Sequence, residues 1–149
     1  MTKDQMADDI GHFRRAVIPD FLIGMLGQLG DAEPNLPQMA TLYLLDAGTT
    51  PTVGELADQL GRSMSVTSRL VDQMVKRGWV DRAEDRDDRR AKRLAITAAG
   101  RTFLRDFESV RAQAQREVMT YLTDDEQRQV SEAMALLGKA SRRRLDERR

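Results

Sequence analysis

The sequence predicts a mainly α-helical protein with one small β-hairpin near the middle of the chain. Apolar residues recur every three or four positions through most of the 149 residues, which is the spacing of helices with one buried side. The spacing shortens to two in the stretches 79–82 and 92–96, which is typical of strands. A chain of this length folds into one compact domain, or one domain with helical extensions, around a core of its own.

The composition excludes several classes of protein. No apolar run approaches the roughly 18 residues of a membrane-spanning helix, and the N-terminus shows no secretory signal. We therefore expect a soluble, cytoplasmic protein without a membrane partner. Cysteine is absent, which excludes disulfides, thiolate catalysis and cysteine-ligated zinc. His12 is the single histidine, and we expect it to be a partly buried polar residue rather than a ligand or a switch.

The neutral total charge hides an uneven distribution. The chain carries 24 lysines and arginines and 24 aspartates and glutamates. Residues 1–51 have a net charge of −4, whereas residues 52–100 and residues 101–149 each have a net charge of +2. Affinity for phosphates depends on local clusters rather than on totals. A neutral total therefore does not exclude a nucleic-acid partner.

Two helices are predicted before residue 50. The first covers residues 4–29, and we expect Pro19 to kink or divide it because proline lacks an N–H donor. Its apolar stripe consists of Met6, Ile10, Phe13, Val17, Phe21, Met25 and Leu29. Turn-forming residues at 30–37 separate the two helices, and Pro37 suits the first turn of the second. The predicted buried side of the second helix consists of Met39, Leu42, Tyr43 and Leu45.

Two short helices follow in the pattern of a helix-turn-helix. Thr52 and Glu55 have the spacing of a capping box that opens a helix through Leu60. Ser63 is the predicted N-cap of the next helix, and Gly78 is its expected C-terminal stop.

A hairpin and two long helices complete the chain. Val80, Leu94 and Ile96 are predicted to face inward from the two strands, and a hairpin directly after a helix-turn-helix is the pattern of a winged helix. Thr97 is the predicted cap of a fifth helix, and residues 123–126 form a second capping box that opens a sixth. The inward stripes of these two helices consist of Phe103, Phe107, Val110 and Ala114 in the fifth and Val130, Met134 and Leu137 in the sixth.

The helix that begins after Ser63 has two different sides. Its inward positions are Thr67, Leu70, Val71 and Met74. The opposite side carries Ser65, Val66, Ser68, Arg69, Gln73 and Lys76. Arginine pairs with guanine, glutamine with adenine and serine with either, while an apolar side chain contacts a thymine methyl group. This side is a candidate DNA-contacting surface, although the same residue types also suit a solvated helix.

The charged tip of the hairpin has three interpretations. Residues 84–93 hold four acids and five bases. A DNA-binding wing would place an arginine in the minor groove, with an aspartate holding a guanidinium in position. A metal site on Glu84, Asp85, Asp87 and Asp88 lacks the calcium-loop spacing and glycine, so we predict no metal. The third interpretation is a solvated charged hairpin.

Several motifs of the winged-helix segment occur together. They comprise Leu56, Ala57, Leu60, Gly61, Gly78, Trp79, Val80, Arg82, Asp85, Asp88, Arg89, Arg90, Ala91, Leu94, Thr97 and Gly100. In this order they resemble the multiple-antibiotic-resistance regulator (MarR) family of bacterial transcription factors. The resemblance is strong over residues 36–104 and weaker in the flanking helices.

This resemblance implies a homodimer that binds double-stranded DNA and lies on the nucleoid when bound. Residues 35–100 would form the winged helix-turn-helix DNA-binding domain, and residues 1–34 and 101–149 a helical dimerisation region. The resemblance places the helix after Ser63 in the major groove and Arg90 in the minor groove. The expected DNA contacts of the wing are Arg86, Arg89, Arg90 and Lys92, with Asp88 as the acid that supports an arginine.

The sequence also restricts the kind of effector that such a regulator could bind. Because the chain has no cysteine, the members of that family that sense oxidation through a thiol are excluded as models. We expect a small aromatic or lipophilic organic effector, or none, and no cofactor. Methionines on the inward stripes suit a pliable ligand pocket, or equally core and interface packing. The candidate pocket residues are Phe13, Met25, Met39 and Tyr43.

These observations favour a sequence-specific DNA-binding regulator, a repressor, that binds a pseudo-palindromic operator as a homodimer and is released by a small ligand. The alternative is a winged-helix protein-interaction module that does not recognise base pairs. An enzyme is disfavoured because the sequence offers no nucleophile–base pair and no metal cluster, and we predict no catalytic residue.

Overall fold

The computed structural model describes residues 2–29, 34–84 and 92–147. Within these residues the chain forms six helices and one antiparallel hairpin, which confirms the predicted fold class. The elements are α1 (Lys3–Leu29), α2 (Leu36–Asp46), α3 (Val53–Leu60), α4 (Met64–Lys76), β1 (Val80–Glu84), β2 (Lys92–Ile96), α5 (Ala98–Met119) and α6 (Asp124–Asp146). No helix in these described stretches is long and apolar enough to cross a membrane.

The described chain groups into two compact units. One unit consists of Met1–Leu22 and Arg111–Arg149, and the other of Ile23–Val110. We call them the terminal unit and the winged-helix unit. Both boundaries fall inside helices, within α1 and within α5. The dimerisation role expected of the terminal segments stays a prediction.

Pro19 does not divide α1, because the helix continues from Lys3 to Leu29 with the proline inside it. A proline within a helix removes one backbone hydrogen bond and crowds the carbonyl group four residues earlier. Several turns of helix lie on each side of Pro19, so the loss of one bond leaves the element continuous.

The winged-helix unit has a dense apolar core. Leu42, Leu56, Val71, Met74 and Leu94 are completely buried. Trp79 stacks on Phe103 of α5 with 4.3 Å between the ring centroids. The predicted inward positions of the strands, Val80, Leu94 and Ile96, are buried as well. The core therefore joins α2, α3, α4, the hairpin and the start of α5.

Tyr43 was expected on the buried side of α2, and this prediction is wrong. Its side chain is exposed, and its hydroxyl group donates a hydrogen bond to the carboxylate of Glu108 on α5. A phenol keeps its polar end beside a partner or water when one is within reach. The buried positions of α2 that the apolar pattern missed are polar, namely Gln38 and Thr41.

The hairpin is held in register at its base. Val80 pairs with Ile96 and Glu84 pairs with Lys92. Gly100, in the first turn of α5, lies against the backbone of Trp79, where a Cβ atom would stand 2.3 Å from the Trp79 carbonyl oxygen. A residue without a side chain is needed at position 100 for this close approach.

The predicted helix caps are confirmed. Thr52 and Glu55 form a reciprocal capping box at the start of α3, and Gly61 ends that helix with a φ of +62°. The hydroxyl group of Thr97 accepts a hydrogen bond of 3.0 Å from the N–H of Gly100. Thr123 and Glu126 form the same reciprocal pair at the start of α6.

In the terminal unit, some of the residues that were predicted to face inward are exposed. Val17 and Ala114 are buried as predicted. The inward assignment of Met134 and Leu137 on α6 is wrong for the single chain, because both side chains are exposed. Met6 and Ile10 on α1 are exposed as well. No other part of the described chain covers these positions.

Candidate nucleic-acid interface

The helix α4 is fixed to the core by one side. Ser63 caps it, with its hydroxyl group accepting a hydrogen bond of 3.4 Å from the N–H of Val66. The buried residues are Thr67, Leu70, Val71 and Met74, as predicted. Thr67 satisfies its hydroxyl group by donating to the carbonyl oxygen of Ser63 at 3.0 Å, which explains how a polar residue is tolerated at an inward position.

The other side of α4 carries the predicted DNA-contacting residues. Five of them are exposed, namely Ser65, Val66, Arg69, Gln73 and Lys76, and Ser68 is half-buried. The Nε atom of Arg69 donates to the carbonyl oxygen of Ser65 at 3.4 Å, one helical turn earlier. The guanidinium group therefore lies along the helix with its planar end available at the surface. Their role as DNA contacts stays a prediction at this point.

The start of α2 supports α4 through a polar contact. Asn35 and Gln38 form a capping box in which the side chain of each accepts a hydrogen bond from the backbone N–H of the other, at 3.0 and 3.1 Å. The Nε2 atom of Gln38 also donates to the Oε1 atom of Gln73 at 3.2 Å. One exposed residue of α4 is thus linked to a buried residue of α2.

A concave site of about 250 Å³ lies between the start of α2 and α4. Its polar lining includes Asn35, Arg62, Arg69 and Gln73. Two arginines beside an exposed helix side provide a positively charged concavity of the kind that binds phosphate or carboxylate groups. The sequence pattern missed Arg62 because it lies in the turn before α4 rather than on the helix.

The hairpin is attached to the two helices by ion pairs. Arg82 on β1 reaches Asp72 on α4 with an N–O distance of 2.6 Å. Arg93 on β2 reaches Glu55 on α3 at 3.0 Å, and its guanidinium group also donates to the carbonyl oxygen of Thr50. These pairs connect the base of the hairpin to both helices of the helix-turn-helix, and sequence reasoning did not identify them.

Most of the predicted wing contacts lie outside the described residues. These are Arg86, Arg89 and Arg90, together with the supporting acid Asp88. Asp85 and Asp87, at which we predict no metal, lie outside them as well. Lys92 is described as an exposed residue at the start of β2, opposite Glu84. The roles of the tip residues therefore stay predictions.

The candidate ligand-pocket residues have different environments. Phe13 is half-buried in the terminal unit. The other three belong to the winged-helix unit: Met39 is part of the core, Met25 is half-buried and Tyr43 is exposed. A shared ligand pocket for these residues stays a prediction.

A family model and several relatives match this architecture. Residues 33–91 match the model of the MarR family. The HTH-type transcriptional regulator YfiV of Bacillus subtilis is 26% identical over 118 residues, which cover 79% of this chain and 74% of YfiV. The transcriptional repressor MprA of Escherichia coli K12 is 42% identical over 52 residues, which cover 35% of this chain and only 30% of MprA.

Solved structures show the same fold. The transcriptional regulator Tm0710 from Thermotoga maritima superposes with a TM-score of 0.80 at 20% identity, covering 97% of this chain and 99% of that one. A mutant of MepR from S. aureus, bound to an oligodeoxyribonucleotide, has a TM-score of 0.62 at 19% identity, covering 94% and 98% of the two chains. The relatives in these comparisons are transcriptional regulators and not enzymes. Residues 33–91 are therefore similar to the MarR family of transcriptional regulators, and the chain has the winged-helix fold of these solved structures.

Proposed function

We propose that this protein is a sequence-specific DNA-binding regulator, a repressor, in which α4 enters the major groove. The observation that carries the proposal is the structure of α4 itself. Its buried side is fixed by the core, while serine, arginine, glutamine and lysine side chains occupy the other side. A helix of this kind fits the major groove, where these side chains match base edges.

Phosphate contacts position such a domain, and base contacts give it specificity. Arg62 and Arg69 line the concave site beside α4, so phosphate groups on one strand have two cations within reach. The Asp72–Arg82 and Glu55–Arg93 pairs fix the base of the hairpin relative to the recognition helix. A fixed angle between helix and hairpin is needed if both are to contact one duplex.

The hairpin would then act as a wing. We propose that Arg90 enters the minor groove, that Arg86, Arg89 and Lys92 contact the backbone, and that Asp88 holds one of these guanidinium groups in position. Replacing Arg90 by alanine would weaken operator binding and lower the salt dependence of the affinity.

The exposed apolar residues of the terminal unit support a homodimer. Met6 and Ile10 on α1 and Met134 and Leu137 on α6 are uncovered in the single chain, and large contiguous apolar surfaces in proteins usually mark an interface. A two-fold dimer would bind a pseudo-palindromic operator through two α4 helices about 34 Å apart, one turn of DNA.

A ligand would release this dimer from DNA by favouring a different spacing of the two recognition helices. Such an effect requires the ligand to bind one spacing more tightly than the other. MepR, which shares the fold, has been solved with ethidium bromide. This supports a small aromatic or lipophilic effector for the present chain, with Phe13, Met25, Met39 and Tyr43 as the candidate pocket. The relationship to the repressor MprA supports repression rather than activation.

The test is a fluorescence-anisotropy titration with the DNA upstream of the protein's own gene, at a stated salt concentration, against a scrambled duplex. We expect tighter binding to the natural DNA than to the scrambled duplex. We expect Arg69→Ala to weaken the affinity for the natural DNA by about tenfold or more, which is the effect of losing one good base contact. Arg128→Ala, at an exposed arginine of α6 in the terminal unit, is the matched control.

Two results would contradict the proposal. Equal affinity for the natural and scrambled duplexes would show that α4 does not recognise sequence. A complete lack of binding down to low salt would favour the protein-interaction module instead.

A further inference from the structure

Gln38 is a buried polar residue whose amide group has a fixed orientation. Its side chain is 2% exposed, and its Oε1 atom accepts a hydrogen bond of 3.1 Å from the backbone N–H of Asn35. A backbone N–H can only donate, so the oxygen of the Gln38 amide must face Asn35. Its Nε2 atom must therefore face the opposite direction.

The fixed amide of Gln38 orients a second amide on the recognition helix. The Nε2 atom of Gln38 lies 3.2 Å from the Oε1 atom of Gln73. An amide nitrogen can only donate, so Gln73 has to direct its oxygen towards Gln38. The Nε2 atom of Gln73 is then the end of that side chain that faces away from the contact.

We propose that Gln38 is a positioning residue that determines which bases Gln73 selects. Because its oxygen is directed towards Gln38, Gln73 presents its Nε2 donor to the DNA. In the major groove guanine presents the acceptors N7 and O6 and thymine presents O4. Adenine presents one acceptor, N7, next to its amino donor, and cytosine presents only an amino donor. The usual bidentate contact between glutamine and adenine needs both ends of the amide. Gln73 therefore favours the keto bases, guanine and thymine, over the amino bases, most strongly over cytosine and less over adenine, whose N7 acceptor lies beside an amino group that cannot accept.

The buried position of Gln38 makes this orientation persistent. The Asn35–Gln38 capping box begins α2, and its residues do not have to move for DNA to approach the exposed side of α4. Breaking the contact to Gln73 would leave a buried amide donor without its partner, which is unfavourable. This inference rests on the proposed function, since it assumes that α4 contacts base edges.

The substitution Gln38→Glu is designed to reverse the orientation while keeping the cap. Glutamate is a normal residue at this position of a capping box, so one carboxylate oxygen still accepts from Asn35. The other oxygen cannot donate, so Gln73 has to turn its Nε2 atom towards it. The Oε1 atom of Gln73 then faces the DNA, and the preference moves to the amino bases.

The experiment is selection of bound sequences from a pool of random duplexes by the full-length protein. Gln73→Ala first identifies the base position that depends on Gln73, since its preference is lost there. At that position we expect the wild type to prefer keto bases and Gln38→Glu to prefer amino bases, each by about fivefold to tenfold, the effect of one hydrogen bond. Gln113→Glu, at an exposed residue of α5 in the terminal unit, controls for the added charge.

A second variant covers the case in which Gln38→Glu does not fold, which circular dichroism would reveal. Gln38→Met is similar in size and removes the amide, so Gln73 becomes free to present either end. We expect the keto preference at the Gln73 position to fall towards equality, while the other operator positions keep theirs.

The outcomes separate the two proposals. If the wild type enriches no sequence, the DNA-binding function itself is wrong. If it enriches an operator but Gln38→Glu and Gln38→Met keep the wild-type preference at the Gln73 position, only the orienting role of Gln38 is overturned. The orienting role of Gln38 is also overturned if Gln73→Ala loses a base preference that, in the wild type, is not for keto bases.

Discussion

The two units of the chain differ in how many of their apolar side chains are buried. In the winged-helix unit, Leu42, Leu56, Val71, Met74 and Leu94 are completely buried. In the terminal unit, Met134 is 49% exposed and Leu136 is 70% exposed. The first unit therefore has a large apolar core, whereas among the described residues of the second only Val17 and Ala114 are buried apolar side chains. The difference is what we expect if the first unit contacts DNA and the second packs against another copy of the chain, as proposed above.

The largest effect is expected from opening the core of the winged-helix unit. Leu42→Ala removes a completely buried side chain and should lower the free energy of unfolding by about 2–5 kcal/mol. Leu36→Ala, in the same helix but at an 82% exposed position, should change it by less than about 0.5 kcal/mol. Urea unfolding at one protein concentration measures both. If the two substitutions lower the free energy of unfolding by similar amounts, Leu42 does not belong to a stabilising core of the winged-helix unit.

A charge on the exposed apolar surface of α6 should separate the dimer. Met134→Glu places a carboxylate where we expect a second copy to pack, and burying an unpaired charge is strongly unfavourable. The dissociation constant of the dimer should rise about a hundredfold, equivalent to about 2.7 kcal/mol. Sedimentation measures the change, with Gln129→Glu on the same helix as the charge-matched control. A wild type that stays monomeric at high concentration would refute the dimer.

The Asp72–Arg82 pair should matter little for stability. Its side chains are 58% and 30% exposed, and exposed ion pairs contribute about 0.2–1 kcal/mol, less at high salt. Asp72→Asn should therefore change thermal unfolding slightly while weakening binding of operator DNA, because the hairpin is no longer fixed to α4. A stability loss with unchanged DNA affinity would assign the pair to the core rather than to the interface.

The smallest effect concerns the cap of α6. Hydrogen bonds from the backbone N–H and the hydroxyl group of Thr123 lower the pKa of Glu126. A carboxyl group with a lower pKa in the folded state stabilises the fold above its unfolded pKa, and the contribution is lost as the pH falls through the folded pKa. In urea unfolding measured at several pH values, Glu126→Gln should remove the part of the fall in the unfolding midpoint at acid pH that comes from protonation of Glu126. Identical acid profiles for variant and wild type would contradict this.

The local elements followed from the sequence because their causes are local. Thr52 with Glu55 and Thr123 with Glu126 lie three residues apart, so the capping boxes were visible in the spacing. The inward side of α4 was equally clear from the period of Thr67, Leu70, Val71 and Met74.

The contacts between distant parts of the sequence were not predictable in this way. Gln38 and Gln73 are 35 positions apart, and no periodicity indicates that their amides meet. Tyr43 followed the apolar stripe of α2, but its hydroxyl group is drawn to Glu108 on α5. The exposure of Met134 could not be foreseen either, because the same apolar spacing describes a side that packs within a chain and one that packs between chains.

The most direct test of the division of tasks is a hydroxyl-radical footprint on the selected operator. We expect the wild type to protect two half-sites about 34 Å apart, one helical turn. We expect Met134→Glu to lose protection of both half-sites together at concentrations where the wild type is bound. Protection of one isolated half-site by the wild type, or an unchanged footprint for Met134→Glu, would contradict binding as a dimer that is held together by the terminal unit.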